Sequence, residues 1–216
     1  MTAHAPIPDF AAARRAMIES QLRPQGVTDR AVLAAMDSVA REQFVPDAVR
    51  PLAYSDRSLA LGGGRFLAPP AVLAQLLTQM APVPGERALV VGAATGYSAA
   101  VLGQIGCDVI ALESDPALAA RARAADLDVV EGPLEAGSRR GAPFDLILID
   151  GAVEFIPDAI VEQLRDGGRL GAALAERGVI RLVVGRKAGG GFGHLSIGDA
   201  GVAALPGFAR PREFSF

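Results

Sequence analysis

One short turn and one carboxylate have the residue types and spacing expected of a ligand-binding site. The turn, Gly92 to Tyr97, reads Gly-Ala-Ala-Thr-Gly-Tyr and follows the apolar run "RALVV". Glu113 ends the next apolar run, 21 residues after Gly92. A carboxylate at the end of the second strand of a βαβ unit can accept hydrogen bonds from ribose hydroxyl groups. The alternative is a solvated Glu113 that caps a helix starting near Pro116.

Two classes of cofactor compete for this turn. A dinucleotide fingerprint has small residues at its first, third and sixth positions, because the sixth lets the helix pack closely on the strand. Tyr97 fills the sixth position and fails this requirement. A turn that binds S-adenosylmethionine has small residues at the first, third and fifth positions, here Gly92, Ala94 and Gly96. The pattern favours S-adenosylmethionine, although tight packing alone also explains a turn of small residues.

The N-terminal elements that must position these residues are helices and a long loop. Residues 1–80 are predicted to form a helical extension and a substrate-covering loop, within the same domain as a core of residues 81–216. Two helices begin at the candidate caps Asp9 and Thr28. The Pro/Gly-rich segment 45–70 is predicted to be mostly irregular and to lie over the ligand cleft.

From residue 87 onward, strand and helix patterns alternate. Strands are predicted at 87–91, 107–112, 127–131, 144–149 and 169–174, and helices near 97–105, 116–124 and 156–164. Two later runs joined by "KAGGG" are typical of an antiparallel hairpin. The order predicts an α/β fold with a doubly wound, mostly parallel sheet. Because ligands bind beyond the carboxyl ends of such strands, Asp150 after "FDLILI" is a further candidate.

Composition argues against several classes of function. The net charge is −3, so no nucleic-acid partner is expected. The charge-free stretch 88–107 contains four glycines and is predicted to be strand, turn and helix, so no membrane partner is expected either. Cys107 is the one cysteine and predicts a buried, inert thiol, while His4 and His194 are too isolated to bind a metal. Without a basic and apolar leader pattern, the sequence predicts a cytoplasmic protein.

Four motifs in order, "REQFVP", "AYSD", "GYSAAVL" and "APFD", carry a resemblance that covers nearly the whole chain. Through them the sequence resembles the protein-L-isoaspartate O-methyltransferase family. The resemblance implies a seven-stranded, Rossmann-like methyltransferase fold with S-adenosylmethionine as cofactor. It also implies, as partner, a protein or peptide substrate with isoaspartyl residues, whose esterification starts protein repair. A carboxylate is already a nucleophile at neutral pH, so the protein's task is to align the reacting groups and exclude water.

The sequence departs from the family where the family positions its substrate. There a Thr-Ile-Ser-Gln/Ala-Pro stretch supplies the hydroxyl group that positions the carboxylate. The matching residues here start at Phe66 and Leu67 and continue with Ala68 and two prolines. Ala68 therefore holds the position of the catalytic serine without a hydroxyl group, and the bulkier Phe66 replaces the threonine.

Two further departures lie in the cofactor half. The family has an acidic residue on the strand just before the first glycine of the turn, and this chain has Val90. The family's Gly-Asp-Gly after the third strand is here Gly132-Pro133-Leu134, so the aspartate that faces the adenine edge is absent. Losing two such contacts would weaken cofactor binding by about 1–3 kcal/mol each.

The resemblance and the topology together give two sets of candidate residues. Those predicted to contact the cofactor are Gly92, Ala93, Ala94, Thr95, Gly96, Tyr97, Glu113, Ser114, Gly132, Pro133, Leu134 and Asp150. Those predicted to contact the substrate are Tyr54, Asp56, Phe66 and Leu67. Tyr54 is equally compatible with a place in the core.

Three functional hypotheses stay open at this point. The first is an active isoaspartyl methyltransferase that positions its substrate through backbone N–H groups. The second is a methyltransferase with another acceptor, since Phe66 and Ala68 make the pocket more apolar. The third is a catalytically degenerate member that acts as a binding or structural protein.

Overall fold

The N-terminal part of the molecule is helical. The structure, a computed structural model, describes residues 9–210. Helix α1 (Phe10–Met17) continues into a π-helical turn over Ile18–Leu22. As predicted, Asp9 caps α1, because its carboxylate accepts a hydrogen bond from the N–H of Ala12.

The N-cap predicted for helix α2 (Arg30–Ser38) is wrong by one residue. Asp29, not Thr28, is the N-cap, and its Oδ1 accepts hydrogen bonds from Ala31 N at 2.8 Å and Val32 N at 3.0 Å. The aspartate lies one residue nearer the helix and satisfies two free N–H groups, and its charge also favours a helix N-terminus.

The segment predicted to be mostly irregular contains a β-hairpin. Strands β1 (Leu59–Gly62) and β2 (Arg65–Leu67) pair antiparallel as a separate two-stranded sheet. The alternation of buried and exposed side chains in both strands is the usual half-buried β pattern, which the surrounding glycines hide in the sequence. Ahead of the hairpin lies a 3₁₀ helix over Asp47–Leu52, and after it helix α3 (Pro70–Met80).

The main sheet has seven strands, as the resemblance implies. They are β3 (Arg87–Val91), β4 (Asp108–Glu113), β5 (Asp128–Glu131), β6 (Phe144–Val153), β7 (Leu164–Glu176), β8 (Val179–Ala188) and β9 (Gly191–Asp199). Their order is β5-β4-β3-β6-β7-β8-β9. Strands β3 to β7 pair parallel, and β8 is antiparallel to both of its neighbours. The predicted mostly parallel sheet with a late antiparallel hairpin is confirmed.

The connecting helices differ in how closely they match their predictions. Helices α4 (Tyr97–Ile105) and α5 (Pro116–Arg123) agree with the predicted 97–105 and 116–124. Helix α6 (Asp158–Val161) is much shorter than the predicted 156–164. Pro157 precedes its first turn, and the chain enters β7 at Leu164, so the remaining residues belong to a turn and a strand.

Strand β3 lies at the centre of the core and is buried on both faces. Ala88 and Val90 face the cluster that includes the N-terminal helices, and Leu89 and Val91 face the cluster on the other side. Such two-sided burial is typical of a parallel sheet covered by helices. The charge-free stretch 88–107 is therefore a buried strand, turn and helix. The boundary predicted between residues 80 and 81 stays a prediction.

Hydropathy gives one further result for the helices. Among residues 9–210, no helix combines the length and the apolar character that crossing a membrane requires.

The C-terminal segment of the described chain runs back to the central sheet. Ala152 in β6 donates its N–H to Ala203 O at 2.9 Å and accepts from Leu205 N at 2.7 Å. Phe208 is 1% exposed and packs in the core. This segment places Leu205 at the end of the sheet.

Candidate functional site

The parallel register brings three predicted site residues to one edge of the sheet. Val91, the last residue of β3, pairs with Leu112 in β4 and with Ile149 in β6. Gly92, Glu113 and Asp150 follow these three positions directly along the chain. They therefore share the carboxyl edge at which open α/β sheets bind ligands.

The turn from Gly92 to Gly96 is held closely to strand β4. Gly92, Ala94 and Gly96 all have positive φ angles, of 77°, 51° and 98°. The N–H groups of Gly92 and Ala93 both donate to Leu112 O, at 2.9 and 3.0 Å. A left-handed conformation at a non-glycine residue is uncommon, and Ala94 keeps it while donating its N–H to Glu113 Oε2 at 2.6 Å.

Thr95 and Tyr97 point away from the edge and into the core. Thr95 donates its hydroxyl to Phe44 O at 2.6 Å. Tyr97 is 1% exposed, and its ring lies under the guanidinium group of Arg41, 4.7 Å from the ring centroid. Burial raises the pKa of Tyr97 and lowers that of Arg41. Both residues of the turn are thus placed to fix the loop against the N-terminal helices.

Glu113 is fully buried, which rules out the solvated helix cap as its role. Its Oε1 accepts from the N–H groups of Ser114 at 2.8 Å and Asp115 at 2.9 Å. The cap of α5 is Asp115, whose Oδ1 accepts from two N–H groups in the first turn. Glu113 is therefore not the cap of α5, and its carboxylate accepts hydrogen bonds within the protein.

Arg65, which the sequence analysis missed, is the side chain that meets Glu113. It projects from β2, is 5% exposed, and donates from Nη1 to Glu113 Oε1 at 2.5 Å. Its Nη2 donates to Gly92 O at 2.9 Å. A single charged residue in "GGGRFL" gives no sign of this contact, which depends on a hairpin that the sequence analysis did not predict.

Leu205 covers the turn from the other side. A Cβ placed on Gly92 would lie 2.7 Å from Leu205 Cδ1 and 3.2 Å from Arg65 Nη2. The gap left between the hairpin and the C-terminal segment has a volume of about 10 Å³, roughly enough for one water molecule. The residue types at this edge match an S-adenosylmethionine site, and in this arrangement the side chains of Arg65 and Leu205 lie against Gly92, so a ligand in contact with Gly92 would have to displace them.

Asp150 lines this gap, at the carboxyl edge where its position after "FDLILI" predicts it. Ser98, at the start of α4, donates its hydroxyl to Asp150 Oδ2 at 2.5 Å. Burial raises the pKa of Asp150 above its ordinary value, and the hydrogen bond from Ser98 opposes that change. The edge therefore carries a second carboxyl group besides Glu113.

Of the residues predicted to contact substrate, some line the gap and others are buried in the core. Phe66 and Ala68 line the gap beside Asp150, and Phe66 is 42% exposed. Leu67 is buried in the hydrophobic core. Tyr54 is also buried there, and its hydroxyl accepts from Arg14 Nε at 2.7 Å and donates to Glu42.

Asp56, Ser114, Pro133 and Leu134 do not line this gap. Asp56 and Ser114 are exposed, and Asp56 accepts from Gln25 Nε2 at 3.2 Å. Pro133 is exposed, whereas Leu134 is 1% exposed within the core cluster. Tyr54, Leu67 and Leu134 are therefore buried in the core, whereas Phe66 and Ala68 line the gap, and the predicted contacts with substrate and cofactor stay predictions.

Arg41, in the motif "REQFVP", ties the hairpin strand to the helical part. It is 1% exposed and donates to Ala53 O at 2.8 Å and to Ala68 O at 2.5 Å. The position of the family's serine is thus held by a buried arginine through its backbone carbonyl. The isolated thiol of Cys107 is buried as predicted, and burial raises its pKa to about 11.

Comparisons with known proteins agree on one family. The family model for protein-L-isoaspartate(D-aspartate) O-methyltransferase matches residues 12–192. A protein-L-isoaspartate O-methyltransferase of Methylorubrum extorquens is 46% identical over 171 residues, covering 76% of this chain and 75% of that protein. One of Koribacter versatilis is 34% identical over 214 residues, covering 96% of both chains.

A solved structure shows the same fold. It is a Plasmodium falciparum protein described as a protein-L-isoaspartate O-methyltransferase, in complex with S-adenosyl-L-homocysteine. The TM-score is 0.77 at 18% identity, and the match covers 92% of this chain and 99% of that chain. With the family model matching most of the chain, the chain belongs to the protein-L-isoaspartate(D-aspartate) O-methyltransferase family.

Proposed function

We propose that this chain transfers a methyl group from S-adenosylmethionine to the carboxylate of L-isoaspartyl residues in damaged proteins. The observation that carries the proposal is family membership over residues 12–192, supported by relatives of that name at 34–46% identity. The turn at Gly92 and the carboxylate of Glu113 share the edge where such a fold binds its ligand. The acceptor carboxylate has no proton to lose, so a missing general base does not oppose the proposal.

The loss of the family serine calls for another group to position the acceptor. Among the described residues that line the gap, Ser58 carries a hydroxyl group, and it lies on the same gap as Ala68 and Phe66. A hydroxyl that donates to a carboxylate is a charge-assisted hydrogen bond, which is stronger than a neutral one. We propose that Ser58 positions the isoaspartyl carboxylate in place of the serine.

The cytoplasm is the compartment we propose for this activity. The chain has one cysteine, so it cannot form an internal disulfide bond. Proteins with reduced, isolated thiols are typical of reducing compartments. Damaged proteins carrying isoaspartyl residues are the proposed partners.

A methyl-transfer assay tests the proposal. The full chain is incubated with labelled S-adenosylmethionine and a peptide that contains one isoaspartyl residue, and the control peptide carries normal aspartate at that place. The expected result is a base-labile methyl ester on the isoaspartyl peptide alone. Label on another acceptor in a protein mixture would favour a different substrate, and no label on any acceptor would favour a non-catalytic binding protein.

Ser58→Ala tests the positioning role. Removing a hydrogen bond to a charged group costs about 1.5–3 kcal/mol, so kcat/KM for the isoaspartyl peptide should fall by roughly 10- to 100-fold. Affinity for S-adenosylhomocysteine should stay unchanged. Ser55→Ala is the matched control, because the Ser55 hydroxyl donates to Leu52 O within its own turn. Equal kinetics for the Ser58 variant and this control would remove Ser58 from the proposal.

A further inference from the structure

The buried side chain of Arg65 lies between the proposed cofactor site and the hairpin that covers it. We propose that Arg65 blocks the cofactor site, a role that we call the latch. Its guanidinium group is hydrogen-bonded to Glu113, where the ribose of the cofactor would bind. The cofactor therefore binds only after the β1–β2 hairpin has moved Arg65 away from Glu113. This inference rests on the proposed function, because it concerns the cofactor of that same activity.

The hydrogen bonds of Glu113 show why the two ligands must compete. Its Oε2 accepts from Ala94 N, and its Oε1 accepts from two backbone N–H groups of the following turn. The remaining approach to Oε1 is taken by Arg65 Nη1, and the carboxylate is fully buried. Because Arg65 covers Oε1 and the carboxylate is fully buried, a ribose hydroxyl that bonds to Oε1 must displace the arginine.

Charge makes this displacement costly in the absence of cofactor. Removing one partner of a buried ion pair leaves an uncompensated buried charge on the other. A ribose can replace the hydrogen bond from Arg65 but not its positive charge. The release of Arg65 is therefore favourable only when the guanidinium reaches solvent and the ribose occupies Glu113 in the same event. The Arg65–Glu113 ion pair therefore stabilises the form in which Arg65 blocks the site, and this lowers the apparent affinity for the cofactor.

The hairpin does not pair with any strand of the main sheet, although its buried residues Leu59, Leu61 and Leu67 anchor it in the core. Strands β1 and β2 form a sheet of their own with three residues in β2. Gly62 at the end of β1 and the connecting Gly63 and Gly64 have positive φ angles of 100°, 58° and 73°. A two-stranded hairpin is only marginally stable by itself. The position of this hairpin therefore depends on its contacts with the rest of the protein, including those of Arg65.

Calorimetric titration with S-adenosylhomocysteine tests the latch. If the open form is a minor state, Arg65→Ala should bind at least about 10-fold more tightly than the natural chain. Arg57→Ala is the matched control, because Arg57 is an exposed arginine in the same segment, and its affinity should equal that of the natural chain. Equal affinity for the natural chain and Arg65→Ala would overturn the proposal, as would a folded Arg65→Ala variant that binds nothing.

Hydrogen exchange on the natural chain covers the case in which Arg65→Ala fails to fold. At the highest soluble concentration of S-adenosylhomocysteine, amides of β1 and β2 should exchange faster while amides of the Gly92–Gly96 turn become protected. Protection of the turn with no change in the hairpin would overturn the latch. So would no change anywhere in the chain, because the latch requires an open form that binds.

The same variants separate the latch from the proposed function. If Arg65→Ala gains affinity but methylates no isoaspartyl peptide, the latch stands and the proposed function fails. If the natural chain methylates the peptide and Arg65→Ala gains no affinity, the proposed function stands and the latch fails.

Discussion

At the scale of single residues, the carboxyl edge of the sheet holds two acids in different settings. Glu113 is compensated by Arg65 and by three backbone N–H groups. Asp150 has the hydroxyl of Ser98 as its hydrogen-bond donor. A hydroxyl group neutralises no charge, so burial dominates at Asp150 and raises its pKa.

Asp150→Asn should make the protein more stable at neutral pH. Because the folded-state pKa of Asp150 is raised, the folded state binds more protons than the unfolded state above about pH 4, and the stability that Asp150 contributes falls as pH rises through the folded-state pKa. Asparagine removes this penalty and can still accept from Ser98. Thermal unfolding at several pH values should show a gain at pH 7 that vanishes below about pH 4.

The exposed Asp108 provides the control for this measurement. Asp108→Asn makes the same change of side chain at the protein surface, and its unfolding temperatures are compared with those of Asp150→Asn. An Asp150→Asn variant that is less stable than the natural chain at pH 7 would show that the carboxylate is stabilised in the fold, contrary to our interpretation of its burial.

At the scale of secondary-structure elements, the cap of α2 can be tested against its neighbour. Asp29→Ala should lower the free energy of unfolding by about 1 kcal/mol, because two N–H groups lose their acceptor. Thr28→Ala should change it by less than about 0.5 kcal/mol, as is usual for sites without such contacts. Urea unfolding measures both. A larger loss for Thr28→Ala than for Asp29→Ala would contradict the observed cap.

Two glycines of helix α4 allow a second comparison between a strained and an unstrained position. Gly96 is the N-cap of the helix with φ of 98°, and a Cβ there would collide with the side chain of Leu127. Gly96→Ala should therefore destabilise the protein by more than about 1 kcal/mol. Gly103 lies inside the same helix with nothing within 4 Å of an added Cβ. Gly103→Ala should stabilise the protein by about 0.5–1 kcal/mol, and equal unfolding midpoints for the two variants would contradict the strained turn.

At the scale of the whole molecule, the repeating part of the fold could be predicted from the sequence. The alternation of apolar runs and helix patterns from residue 87 depends on local periodicity, and it predicted the parallel sheet and the edge where Gly92, Glu113 and Asp150 meet. The β1–β2 hairpin was not predicted, because its strands are short and only two glycines separate them. The length of helix α6 was overestimated, because apolar periodicity does not reveal where the following strand begins.

The contacts of Arg65 and Leu205 with the candidate cofactor site could not be predicted, for a different reason. Arg65 lies 48 residues before Glu113, and Leu205 lies still farther along the chain from Gly92. Both contacts depend on how the hairpin and the C-terminal segment pack on the finished sheet. A local pattern contains no such information, so the sequence predicted the residue types of a cofactor site but not their closed arrangement.

The central claim is that this chain is an isoaspartyl methyltransferase whose cofactor site is closed by Arg65. The most direct test measures the rate of methyl ester formation on the isoaspartyl peptide as S-adenosylmethionine is varied, for the natural chain and Arg65→Ala in parallel. We predict that both methylate the peptide and that the KM for S-adenosylmethionine is at least about 10-fold lower in the variant. Absence of ester from both folded proteins at every cofactor concentration would contradict the account.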